Sequence, residues 1–243
     1  MAKLPENVAS LAIDAQPTFC EGGGLAVEGG NAIMPGINEI RAKTEKGYWT
    51  QDWHPPNHCS FASNHKGREP FDKVWIKNGN IVGEISNPDN PGEPPEDGAI
   101  VQILWPDHAI QGTQEAELHP DLKIPEDDMI VKKGDNPNID SYSCVFENDA
   151  VTRPAFENGN TVPEQLRKDG IDTVVLSGLA LDVCVAYSAC DMADEGFRVI
   201  VIEDATSAIS EEGKRKTLDR FSEKGVETAT LDTLKETIYG KAA

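Results

Sequence analysis

Residues 172–205, DTVVLSGLALDVCVAYSACDMADEGFRVIVIEDA, constrain the fold more than any other stretch. An apolar run, Val174 to Leu176, stops at Ser177-Gly178. A segment of helical period follows (VAYSACDMADEG), and a second apolar run, RVIVIEDA, comes after it. A strand, a helix and a strand in that order cannot close as a hairpin, and they predict a crossover between parallel strands. The same alternation recurs elsewhere. VASLAIDAQ, YWTQDWH and MIVKKG read as short buried strands, MPGINEIRAKTEKG as a helix, and TVPEQLRKDG as a helix with Thr161 as N-cap and Gly170 as its stop. Strands and helices are therefore expected to alternate throughout, as an α/β fold with a mostly parallel central sheet and helices on both faces. The 243 residues are expected to form one domain, with the Pro- and acid-rich segment 87–98 as a surface insertion.

In open sheets of this kind, ligands bind beyond the carboxyl ends of the strands. Asp14, Asp52 with His54, Lys133 and the segment around Cys184 all fall at such ends. Cys184 sits at a helix start, where free N–H groups and the positive dipole end favour a thiolate. The amides of Ala180 and Cys184 are placed to hold an oxyanion. Taken alone, a cysteine between Val183 and Val185 is more often a small core residue. A carboxylate and a lysine at neighbouring strand ends tip the balance, since together they can manage a proton and stabilise negative charge beside a thiol. Cys20, Cys59, Cys144 and Cys190 keep the core reading.

Asp52 and His54, two apart, would project from one face of a strand about 7 Å apart. With His108 after Pro106 they form a carboxylate-imidazole set that leaves coordination positions open on a zinc, iron or manganese ion. His58, past a Pro pair that bends the chain, is the weaker candidate, suited to supporting the ligands from outside.

The net charge of −20 argues against a nucleic-acid partner, because binding phosphates depends on Lys and Arg. No apolar run approaches the ~18 residues of a membrane span, and five cysteines without a CxxC pair fit a reducing cytoplasm. Oligomeric state is left open, and a homo-oligomer is compatible with the sequence.

IDAQPTFCEGGGLAV, QDWHPPNHCSFASNH, LWPDHAIQGT, KKGDNPNIDSYSCVFEN and GLALDVCVAYSACDMADEGF together resemble the bacterial nicotinamidases. These belong to the cysteine hydrolase family that includes isochorismatase-type enzymes. The resemblance runs from about Val8 to about Ala208. It implies a three-layer, Rossmann-type α/β/α fold, a catalytic triad of Asp14, Lys133 and Cys184, and Asp52, His54 and His108 as ligands of one divalent metal, most often zinc. His58 matches a position that ligates directly in some relatives and through water in others. The family's cis peptide maps to Leu179-Ala180, and Phe19, Trp105 and Tyr142 to aromatic walls around a pyridine ring. The implied reaction is hydrolysis of nicotinamide to nicotinate and ammonia through a cysteine thioester, in NAD salvage, with pyrazinamide as a second substrate. Two alternatives remain open: an isochorismatase-like or N-carbamoyl amide hydrolase of the same fold, and a catalytically silent binding protein that keeps the fold.

Overall fold

The computed structural model describes residues 3–87 and 90–240. Its central sheet has six parallel strands, in the spatial order Met129–Lys133, Gly47–Asp52, Val8–Ile13, Thr173–Leu179, Arg198–Ser207 and Glu227–Ala229. In chain order the elements are β1 (Val8–Ile13), α1 (Met34–Lys43), β2 (Gly47–Asp52), β3 (Lys73–Lys77), β4 (Asn80–Glu84), β5 (Ile100–Ile103) and β6 (Met129–Lys133). They continue with α2 (Val162–Lys168), β7 (Thr173–Leu179), α3 (Ala186–Asp194), β8 (Arg198–Ser207), α4 (Glu211–Lys224), β9 (Glu227–Ala229) and α5 (Leu234–Tyr239).

Side-chain alternation along the strands assigns the helices to two faces. Val174 and Leu176 of β7 share a core with Leu166 of α2, Ala189 and Cys190 of α3 and Phe221 of α4. Val175 between them points the other way, into a core with Ile40 of α1 and Leu234 of α5. Helix α2 starts as its sequence predicts: the Thr161 N–H donates to the Glu164 carboxylate at 2.9 Å, and Gly170 takes a left-handed φ of 74° beyond its end.

Strict alternation of strand and helix fails between β2 and β6. Residues 73–103 instead make a three-stranded antiparallel sheet, β4-β3-β5, with no helix among the described residues. The turn at Asn78-Gly79, both residues at positive φ, lets Lys77 pair with Asn80 in a tight hairpin. The expected insertion lies between β4 and β5. Its residues 90–98 are exposed, and Pro88 and Asp89 fall outside the described residues.

From β1 the chain builds outward one way through β2 and β6, then returns to add β7, β8 and β9 on the other side. The order reverses between β1 and β7, where such sheets open a crevice at their carboxyl edge.

Candidate active site

Asp14 follows the last residue of β1, Asp52 and Lys133 are the last residues of β2 and β6, and Cys184 follows β7. The paired registers of the parallel strands bring these ends level: Asp52 lies opposite Lys133, and Ile13 opposite Gly178. At Gly178, with φ 118°, a Cβ would overlap the main chain of Ile13, so only glycine lets β7 come this close to β1. The Leu179–Ala180 peptide is cis. A π-helical turn, Leu181–Val185, carries Cys184 into α3.

Lys133 is fully buried. Its ammonium donates to Asp52 Oδ1 and, at 2.8 Å, to the Ser141 carbonyl; it lies 3.0 Å from Asp14 Oδ2 and 3.6 Å from Cys184 Sγ. Burial opposes its charge, but the carboxylates of Asp14 and Asp52 outweigh burial and raise its pKa well above that of an ordinary lysine. The ligand atoms of Asp14, Asp52 and Cys184 all fall within 4.8 Å of one another. Lys133 already supplies the cation at their centre.

The two carboxylates behave differently. Burial, then the charge of Asp52, pushes the Asp14 carboxyl up to about 6, against Lys133 and Thr50. For Asp52, burial is outweighed by Lys133 and His54, which hold it well below the usual carboxylate range. Asp14 Oδ1 accepts from the Thr50 hydroxyl at 2.5 Å, while Oδ2 has no hydrogen bond of good geometry and keeps a lone pair free. A carboxyl poised near neutrality with an open lone pair beside a thiol is equipped to take its proton.

The helix start does not make Cys184 a resting thiolate, contrary to what the sequence suggests. Burial raises the thiol well above its ordinary range; Lys133 opposes this, but Asp14 and Asp52 add to burial. Cys184 therefore rests protonated, and a base has to act before the sulfur can attack.

Asp52 divides its oxygens. Oδ1 meets Lys133, while Oδ2 lies 3.6 Å from His54 Nε2 and 4.0 Å from His108 Nε2. His54 Nδ1 donates to the Gly134 carbonyl and His108 Nδ1 to the Pro106 carbonyl, both at 2.8 Å. A carbonyl only accepts, so both Nδ1 atoms carry a proton, and both Nε2 atoms face Asp52. The close approach at Gly134 has no room for a Cβ, which would run into the His54 ring. Burial, then the nearby His54, pushes His108 down to about 4 and keeps it neutral. His54 shifts up, because Asp52 outweighs burial. Two ligands of a tetrahedral ion at bond lengths of about 2.1 Å stand about 3.4 Å apart. One carboxylate oxygen and two imidazole nitrogens, all buried and within 4.8 Å of one another, can gather on a single divalent cation.

His58 falls in a different group, with His54 and Asp140. Its Nε2 is 3.2 Å from the Ile139 carbonyl, its Nδ1 is 2.7 Å from Ser60 Oγ, and its ring stacks on His54 at 4.2 Å between centroids. With both nitrogens engaged, it supports His54 from behind.

Beside these groups lies a narrow pocket, with Ala180 and Cys184 in its lining and Phe19, Trp105 and Tyr142 as aromatic walls. Trp105 Nε1 donates to the Tyr142 hydroxyl at 3.2 Å, fixing the two rings near perpendicular. Every candidate site residue read from the sequence is thus in or beside one site, His58 through its stack on His54. Sequence reasoning misses Thr50 and Asp140. Asp140 is buried in the cavity lining and accepts from Ser141 N at 2.9 Å and Gln102 Nε2 at 2.6 Å. Thr50 could have been found, because it lies two residues before Asp52 and so on the same side of β2.

Comparison with known proteins finds the same family and fold. The isochorismatase domain model matches residues 8–233. A nicotinamidase of Acinetobacter baylyi is 40% identical over 211 residues, 87% of this chain and 86% of that protein. A solved nicotinamidase/pyrazinamidase of Acinetobacter baumanii superposes with a TM-score of 0.80 at 38% identity, covering 96% of this chain and 100% of that one. A pyrazinamidase of Pyrococcus horikoshii, solved in complex with zinc, gives a TM-score of 0.68 at 26% identity, covering 93% and 100%.

Proposed function

The chain belongs to the isochorismatase family, and on that premise we propose that it is a nicotinamidase, hydrolysing nicotinamide to nicotinate and ammonia. The observation that carries this reading is the burial of Asp14, Lys133 and Cys184 around one ammonium, next to a carboxylate-imidazole set and a narrow aromatic cavity.

Phe19, Trp105 and Tyr142 hold a flat heterocycle by its faces and edges. Asp14 takes the Cys184 proton as the sulfur bonds to the carboxamide carbon, and Lys133 holds the carboxylate and sulfur in register through its contacts with both. The carbonyl oxygen becomes an oxyanion, which the N–H groups of Ala180 and Cys184 stabilise. Asp14 returns the proton to the nitrogen, the C–N bond breaks, and ammonia leaves a thioester on Cys184. In the second half Asp14 takes a proton from water as its oxygen adds to the thioester carbon. Asp14 gives that proton to the sulfur as the C–S bond breaks, which restores the thiol and releases nicotinic acid, ionised to nicotinate in water.

Asp52, His54 and His108 would hold the divalent ion, for which we propose zinc, with iron and manganese also suited to this donor set. When bound, the ion supplies a Lewis acid that can take the ring nitrogen of the substrate. The likeness to the zinc-bound pyrazinamidase supports that assignment and pyrazinamide as a second substrate. Among the described residues no helix is long and apolar enough to cross a membrane, and all five cysteines are free. Both fit a cytoplasmic place in NAD salvage.

The test is ammonia release from nicotinamide by the purified protein, with isochorismate and an N-carbamoyl amide as competing substrates. Turnover of nicotinamide, lost in Cys184→Ala and reduced by chelation, is expected. Faster turnover of either competitor would overturn the substrate assignment, and no turnover of any would favour a silent binding protein.

A further inference from the structure

The main-chain ladder between β1 and β2 ends at Ala12 opposite Trp49. Asp14 then takes a φ of 44°, and the two main chains part. Asp14 and Asp52, one from each strand, nevertheless meet on the same ammonium.

Side chains carry the pairing across this gap. The Asp14 N–H donates to Thr50 Oγ1 at 3.0 Å. Two residues on, the Asp52 N–H donates to Gln16 Oε1 at 2.8 Å, while Gln16 Nε2 donates to the Asp52 carbonyl at 2.9 Å and the Ala116 carbonyl at 2.7 Å. Gln16 is fully buried. One N–H on its oxygen side and two carbonyls on its nitrogen side permit a single orientation of the amide, with its acceptor and both donor hydrogens used.

We propose that Gln16 is a positioning residue for the metal centre. Its carboxamide stands in for the missing rungs of the ladder and grips the backbone of Asp52 on both its N–H and its C=O. The side chain is thereby aimed so that Oδ1 meets Lys133 while Oδ2 faces His54 and His108. Through Ala116 the same amide ties in the segment that follows His108, so both sides of the ligand set are held by one buried group. Asp52 is in turn the carboxylate shared by the ion and the lysine, so Gln16 also fixes the distance between the cation site and Asp14. This rests on the assignment of Asp52, His54 and His108 as ligands and is independent of which amide is hydrolysed.

The test uses the full chain loaded with Zn²⁺, with Gln16→Glu and Gln16→Met variants. Glutamate keeps an acceptor for the Asp52 N–H but sets an oxygen against two carbonyls; methionine keeps the length and loses all three bonds. Competition with a chromophoric chelator, well below the melting temperature of each variant, should show Zn²⁺ bound about 10- to 100-fold more weakly than by the parent. The visible bands of the Co²⁺-loaded protein should shift as the carboxylate moves. A residue that only supported the fold would lower Tm and leave both readouts of the folded protein unchanged. Zn²⁺ affinity within twofold of the parent, with unchanged Co²⁺ bands, would overturn the proposal. Gln16→Asn, the smallest change, carries the same expectations if either larger one aggregates. Weakened Zn²⁺ binding without nicotinamide turnover would support the role of Gln16 and count against the substrate assignment alone.

Discussion

Replacing Asp14 with asparagine separates the proton-transfer role of this residue from its electrostatic one. The side chain keeps its shape, its Oδ1 still accepts from the Thr50 hydroxyl, and Lys133 keeps its partners in Asp52 and Ser141. What is lost is the lone pair on Oδ2 and one negative charge. Cys184 rests as a thiol, because burial raises it and the two carboxylates add to that rise. Without a base nothing removes its proton, and nothing returns a proton to the leaving nitrogen. General acid-base catalysis is worth roughly 10²- to 10⁴-fold, so kcat should fall by about 3 to 5 kcal/mol of barrier. The charge acts in the opposite sense on the free thiol. With Asp14 neutral, Lys133 stabilises the thiolate with less opposition, so Asp14→Asn should alkylate with iodoacetamide at lower pH than the parent while hydrolysing almost nothing. Coupled ammonia release and a pH series of alkylation rates read both effects on the same samples. A variant retaining a tenth or more of parental kcat would refute the assignment of Asp14 as base. A thiol titrating at higher pH would refute the electrostatics.

Asp14, pushed up to about 6, has to be ionised to act, so kcat/KM should fall as pH drops below about 6 and level off above it. Asp14→Asn should lack that limb in its residual rate. Lys133→Met leaves two buried carboxylates without their cation and should cost about 3–5 kcal/mol in urea unfolding, besides abolishing turnover. Trp105→Ala removes one aromatic wall and should raise KM roughly two- to tenfold with kcat little changed, read from initial rates on nicotinamide.

The parts of the fold legible in the sequence are those whose signal is local. Val174 to Leu176, the helix into which Cys184 leads and the run from Arg198 carry their periodicity on their face, and their parallel pairing follows from it. The antiparallel sheet of β3, β4 and β5 was hidden because its apolar runs are short: β3 has three buried residues between two lysines, KVWIK, and β4, NIVGE, is only half-buried. Asp52 and His54 were expected to share one strand face. They do converge, but by another route: β2 ends at Asp52, and His54 is held by its N–H to the Ala109 carbonyl at 3.0 Å. The protonated state of Cys184 was not legible, since burial and both carboxylates reach it from segments more than a hundred residues away. Gln16 reads in the sequence only as a polar group beyond the end of β1, because its hydrogen bonds run to Asp52 and Ala116, 36 and 100 residues away.

Capture of a covalent intermediate tests the central claim most directly. Nicotinamide mixed with enzyme and quenched in acid within the first turnovers, then digested and analysed by mass spectrometry, should yield one nicotinoyl group on the peptide containing Cys184, absent in Cys184→Ala. Hydrolysis at full rate with that peptide unmodified at every quench time, or undiminished hydrolysis by Cys184→Ala, would contradict the account.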